Sequence, residues 1–202
     1  MRILQKLLLI CGLVSFAICA PQPVRAQSDN SCSTDSMTVS VKPDMILDCL
    51  RAGQSVNLDG VTVEGDLDLT SLIGDSGQRI AIASPLVISN AHFTGSLISF
   101  NGDTGAVLTF QEPVVLRGSQ FDGSVDFSSA TFEKFAHFEN IRFESGANFT
   151  QATFQSGSSF HKTIFKDSSS FMLANIYGGL DFSEAQFFIL TNFSWLHSTQ
   201  ST

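Results

Sequence analysis

Residues 121–154 read FDGSVD FSSAT FEKFAH FENIR FESGAN FTQAT F, and the breaks are set by where phenylalanine returns. The units alternate strictly between six and five residues. Extended in both directions, the series runs Phe121, Phe127, Phe132, Phe138, Phe143, Phe149, Phe154, Phe160, Phe165, Phe171, Ile176, Phe182, Phe187, Phe193. Two gaps sum to 11 and four to 22. Neither an α-helix nor an ordinary strand has that spacing, whereas a repeat solenoid does. Two residues before each large residue stands a small or apolar one, among them Ala130, Ala136, Ile141, Ala147, Ala152, Ser158, Thr163 and Ala174. Residues two apart on an extended segment face the same side, so each unit turns one small and one large side chain inward. The charges fall elsewhere: Glu133, Lys134, Glu139, Arg142, Glu144, Lys162, Lys166, Asp167 and Glu184.

The units Phe127-Ser-Ser-Ala-Thr-Phe132 and Phe149-Thr-Gln-Ala-Thr-Phe154 resemble the phenylalanine-rich variant of the pentapeptide-repeat proteins. The resemblance covers residues 108–193 well and 54–107 loosely. It implies an all-β fold, a right-handed quadrilateral β-helix with four units to each coil; because an open end would expose core and strand edges, a short N-terminal capping helix is expected over the first coil. Four units together set the coil repeat at about 22 residues, within the range of repeat solenoids. Stacking equivalent positions of successive coils gives four columns. They are Ile88, Phe110, Phe132, Phe154, Ile176; Leu116, Phe138, Phe160, Phe182; Phe121, Phe143, Phe165, Phe187; and Phe127, Phe149, Phe171, Phe193. In the six-residue units the third residue after the large one is Ser124, Gly146, Gly157, Ser168 or Gly179, which places the unusual dihedrals at that corner. Phe135 and Leu190 break that rule and are expected either as exposed apolar contacts or folded over a neighbouring coil.

The remainder of the chain divides at composition changes. Residues 1–26 have the form of a secretory signal, with Arg2 and Lys6 ahead of the apolar run Leu7–Cys19 and a cut expected before Gln27. The run is shorter than a membrane span needs, and an uncleaved anchor over residues 7–19 is the alternative. Export leaves Cys32 and Cys49 as a disulfide candidate. Residues 27–53 form an N-terminal segment with a helix between Pro43 and Ala52, entered by Pro43 and ended by Gly53, with Met45, Ile46, Cys49 and Leu50 on one apolar face. Residues 54–107 are irregular coils, opened by Val56/Leu58, Val61/Val63 and Leu67/Leu69 and interrupted by loops at 73–79 and 101–106. Residues 108–196 are regular coils and 197–202 a tail.

The formal charge of −8 becomes about −11 once residues 1–26 are removed, because all 19 acidic groups lie beyond them. There is no basic stripe, so nucleic acid is not an expected partner. Some cytosolic relatives mimic DNA with an acidic rod, but the regular coils from Leu116 onward carry 5 basic and 8 acidic groups, which is near balance. No catalytic residue, cofactor site or metal site is expected. Asp66 and Asp68 alternate with core leucines and read as a solvated face, and His137, His161 and His197 read as surface groups. The loops around Asp75 and Asp103 fit no known Ca²⁺ spacing. Asn148-Phe-Thr150 and Asn192-Phe-Ser194 have the form of glycosylation sequons, but the coil already demands their phenylalanine. The expectation is a noncatalytic exported scaffold for an unidentified protein partner, with homodimerisation through the C-terminal coil open. The alternative is an extracytoplasmic Ca²⁺- or glycan-binding module using the two loops. Membrane attachment is expected only if the signal segment stays uncleaved.

Overall fold

The computed structural model describes residues 31–33, 40–72, 79–100, 102, 105 and 107–198. Residues 1–30, where the signal was expected, most of both loops and the end of the tail lie outside the described residues.

Short parallel strands stack into four sheets of seven, seven, six and six strands, which are the four sides of a right-handed quadrilateral β-helix. One regular coil passes in turn through Ala136–His137, Arg142–Phe143, Ala147–Asn148 and Thr153–Phe154. These strands define the first, second, third and fourth faces. Each strand pairs with its equivalent one coil on, Phe132 with Phe154 and Phe121 with Phe143. The earlier coils are longer. Phe121 pairs back to Phe93, and Phe93 to Val63, each a wider interval than that from Phe121 to Phe143.

That lengthening corrects one column of the sequence reading. Ile88 does not lie beneath Phe110. Ile82 pairs with Phe110, and the pairing of Val87 with Val115 puts Ile88 in line with Leu116 on the next face. The extra residues at 101–106 displace every equivalence that spans them, so a constant count from coil to coil fails there.

The corners also differ from expectation. The recurrent left-handed residue sits in the five-residue units, two after the large residue: Ser129, Asn140, Gln151, Lys162, Leu173, Glu184 and Trp195, with φ between 55° and 59°. Each belongs to a four-residue turn, closed for example by the Ala152 N–H on the Phe149 carbonyl at 3.0 Å and the Ala174 N–H on Phe171 at 3.1 Å. A positive φ at the third position is what a type II turn requires. Among the six-residue corners Gly157 and Gly179 have positive φ, while Ser124, Gly146 and Ser168 do not.

Inside the tube the phenylalanines stack. Ring centroids along the fourth face lie 5.2 Å apart for Phe110–Phe132 and 5.0 Å for Phe132–Phe154. On the first face Phe138–Phe160 and Phe160–Phe182 are both 5.0 Å apart. On the second, Phe121–Phe143 is 5.5 Å and Phe143–Phe165 5.2 Å. On the third, Phe127–Phe149 is 5.7 Å and Phe149–Phe171 4.9 Å. The first-face and third-face columns meet across the axis edge-to-face, as in Phe149–Phe160 at 5.2 Å and 83°. Offset stacks within a column and T-shaped contacts between columns both suit the ring quadrupole. The small inward residues leave room for this packing, and several that are hydroxylic bond to carbonyls: Ser158 donates to that of Ala136 at 2.8 Å and Thr163 to that of Phe138, whereas the Thr191 hydroxyl of the last coil has no partner among the described residues.

The first coil is built differently. Strands Ser31–Ser33 and Ser40–Val41 begin the first and second faces, and the helix α1, Pro43–Arg51, occupies the place of the other two sides. Pro43 starts it, and Ile46, Leu47, Cys49 and Leu50 are buried over the coil end. Leu47 joins the apolar face, and Met45 packs at its margin. Gly53 at φ 66° ends α1, with its N–H on the Leu50 carbonyl and the Gln54 N–H on that of Cys49. That is a Schellman closure, which favours glycine. The Sγ atoms of Cys32 and Cys49 are at bonding distance, with the Cα atoms 6.1 Å apart, joining the strand Ser31–Ser33 to α1.

Candidate functional site: the outer faces and the last coil

With the interior filled by rings, chemistry is left to the outward positions. On the second face these lie either side of the inward residue, and they form a line of polar pairs. Lys42 meets Glu64 at 2.7 Å between the capping coil and the next. His92 Nε2 meets Asp122 Oδ2 at 2.7 Å further along, and Arg142 pairs with Glu144 within its own coil. The Lys42 ammonium, with the Ser40 hydroxyl, holds the Glu64 carboxyl below its ordinary range. A hydrogen bond from Gln120, and then one from His92, do the same for Asp122.

The first and third faces carry a motif that sequence reasoning missed. An Asp or Asn one residue before the inward phenylalanine or leucine turns its Oδ1 back to the N–H two residues on. Asp68 accepts from Thr70 at 2.9 Å, Asp126 from Ser128 at 2.8 Å, Asn148 from Thr150 at 3.0 Å, Asp181 from Ser183 at 2.8 Å and Asn192 from Ser194 at 2.9 Å. Four of these Asx turns lead the chain into a left-handed corner, and that of Asp68 leads into a 3-10 turn, Leu69–Leu72. They account for the two sequon-like triplets as corner chemistry. The Ser183 bonds also lower the Asp181 carboxyl, with a smaller contribution from His161. The recurring pattern of Asp or Asn, then Phe, then Ser or Thr was the available signal.

Each candidate group has a structural partner. Asp66 Oδ1 accepts the Ser96 N–H at 2.7 Å, so Asp66 and Asp68 both fasten backbone. His137 Nδ1 lies 2.9 Å from Glu139, His161 Nδ1 lies 2.8 Å from the Ser183 hydroxyl, and His197 Nδ1 lies 2.8 Å from the Trp195 carbonyl. Among the described residues no cluster of three His, Cys, Asp or Glu is placed to hold a metal ion. Asp75 and Asp103 lie outside the described residues. Cys32 and Cys49 sit in the capping coil, away from these rows.

Among the described residues, a small recess lies beside α1 between Leu50, Leu72 and Ile80, and two larger concave regions lie on the regular coils. A shallow groove of about 440 Å³ runs along the third face, floored by Gly146, Ala147 and Ser169 and flanked by Asn148 and Asn192. Leu190 closes its far end. An apolar recess of about 400 Å³ opens at the end of the tube among Ile176, Leu180, Phe182, Phe193 and Leu196.

The last coil differs from the others at the corner between the second and third faces. The three residues after the inward side chain are Glu64-Gly-Asp66, Thr94-Gly-Ser96, Asp122-Gly-Ser124, Glu144-Ser-Gly146 and Lys166-Asp-Ser168 in successive coils. In the last coil they are Phe188, Ile189 and Leu190, exposed to 57%, 50% and 86%. Trp195 and Tyr177 are exposed nearby along the chain, and Lys166 Nζ sits 4.3 Å from the Phe188 ring centre. Phe135, the other irregular corner, is 37% exposed and packs on the His137 ring at 4.9 Å.

A family model described as pentapeptide repeats (9 copies) matches residues 109–153 and 144–186. These coils are pentapeptide repeats. No curated protein and no solved structure matches the chain. The repeat match ends within the last coil, just ahead of the corner that turns apolar, and it begins where the regular coils do.

Proposed function

We propose that this pentapeptide-repeat chain is a noncatalytic, exported scaffold that presents its last coil to a protein partner. One observation carries the reading: a corner that is polar through five coils becomes Phe188-Ile-Leu190 in the sixth. Phe188 lies beside the tube, against Lys166 of the preceding coil. A contiguous exposed apolar patch with a polar surround marks an interaction site. Its aromatic members supply large contact area at low entropic cost. The partner is a second copy or another envelope protein, and the Cys32–Cys49 pair is oxidised in an extracytoplasmic compartment.

The test places a photo-crosslinking amino acid at Leu190 and, as control, at Ser124, the equivalent corner of an earlier coil. Adducts formed in intact cells from position 190 and absent from position 124 are the expected result. An adduct at twice the chain mass identifies the second copy. No adduct from position 190, with the protein folded, sinks the reading. Export has its own measurement: the intact mass of the fractionated protein should start at Gln27, and a full-length soluble species would remove export from the proposal.

A further inference from the structure

The terminal strand Ser31–Ser33 and α1 are held in different ways. The strand is the outermost of its sheet, with one partner among the described residues, along Ser55, Val56 and Asn57. Its link to the cap is the sulfur pair. Helix α1 buries Ile46 completely, buries Leu47 and Leu50, and has its own C-terminal closure through Gly53 and Gln54. The two sulfurs also differ in access: Cys32 is half-buried and Cys49 is buried. A reductant therefore meets Cys32 first.

We propose that Cys32–Cys49 is a redox latch, whose reduction releases strand Ser31–Ser33 from the first face while α1 and the coils stay folded. The inference rests on the reading that the pair is oxidised in the working protein. A thiolate of a small dithiol attacks Cys32 Sγ, and Cys49 leaves as a thiolate that takes up a proton. The second thiol then displaces Cys32, giving two cysteine thiols and one oxidised dithiol. The strand is left with its pairing to Ser55, Val56 and Asn57 and loses the constraint of the loop closed between the two cysteines.

The change stays local because in a solenoid each coil touches only its neighbours. It uncovers the outer edge of strand Ser55–Asp59. Val56 directs its N–H inward along the stack, to the Pro85 carbonyl at 3.0 Å. In a parallel strand alternate residues face opposite neighbours, so Asn57 faces the released side. An open edge of this kind is a template for adding another strand.

The experiment uses the full chain, purified without reductant, and measures intact mass and then amide hydrogen exchange before and after a dithiol. The expected result is a gain of two mass units and a loss of protection at the Asn57 amide of about a hundredfold, the size a loop of this length supports. The Val56 amide, bonded to Pro85, and the amides of residues 131–165 should not change. The variant Cys32→Ser should exchange like the reduced protein at Asn57. If the mass rises by two and protection at Asn57 persists, or every coil loosens together, the latch is overturned while the bond stands. If the mass does not change, the oxidised pairing itself fails, and the latch with it.

Discussion

At the scale of the residue, the coil depends on two kinds of position that composition does not advertise. One is the left-handed corner, filled by Gln151, Lys162 and Leu173 at φ of 59°, 57° and 58°. A non-glycine residue there carries a steric cost of about 1–2 kcal/mol, which glycine avoids at some entropic expense. Gln151 is exposed. Gln151→Gly should therefore stabilise the protein by about 0.5–1 kcal/mol in chemical unfolding, and a lower stability would contradict the corner assignment. The other kind is the close approach of successive corners. A Cβ on Gly123 would lie 2.4 Å from the Gly95 carbonyl carbon, with backbone on that side and no flexible side chain to yield. Gly123→Ala should cost about 2–3 kcal/mol; a melting temperature equal to wild type would show that the coils can separate there freely.

At the scale of the element, most strands of the regular coils are only two residues long, as Thr153–Phe154 is, so coils depend on side-chain bonds between and within them. Lys42–Glu64 and His92–Asp122 cross from one coil to the next, and Asp181 fastens the turn leading into the corner at Glu184. The Glu64, Asp122 and Asp181 carboxyls are all held below their ordinary range, first by hydrogen bonds from Lys42, Gln120 and Ser183 respectively. A folded pKa below the unfolded one gives stability that is present above the unfolded value, about pH 4 for a carboxylate, and is lost as pH falls through the folded value. Melting temperature should fall as the pH is lowered from about 6 to about 3. The double variant Asp122→Asn, Asp181→Asn should fall less than wild type over that interval. An equal fall in both would assign the acid loss to other carboxylates.

For the whole molecule, stability is a sum over coils and the contacts between them. Phe154 is fully buried between Phe132 and Ile176, whereas Phe193, on the last coil, is 41% exposed. Phe154→Asp places an unpaired charge in the middle of the stack and should abolish cooperative folding. Phe193→Asp should leave a cooperative melt with lost exchange protection confined to the last coil. Equal damage from both substitutions would rule out nearest-neighbour behaviour, and circular dichroism with hydrogen exchange separates the outcomes.

The alternation of longer and shorter units by itself determined a repeat solenoid with inward phenylalanines, while its four sides and the length of the regular coil followed from the resemblance to the repeat family. The solenoid and its inward rings follow from a local period that every unit repeats. The Pro43 and Gly53 signals likewise marked the helix, because capping chemistry is local. The tertiary structure alone decided the rest. It moved Ile88 out of the Phe110 column, since inserted residues change the partner of every later strand without altering local pattern. It placed α1 over two sides of the first coil and brought Cys32 to Cys49. It put the left-handed residues in the shorter corners, a choice Asp126 and Asn148 help to make through bonds to Ser128 and Thr150. The apolar triplet Phe188–Leu190 was visible in the sequence, but its exposure was not. Phe187 and Phe188 are adjacent and chemically identical, and only the direction of the strand decides which ring stacks on Phe165 and which lies outside against Lys166.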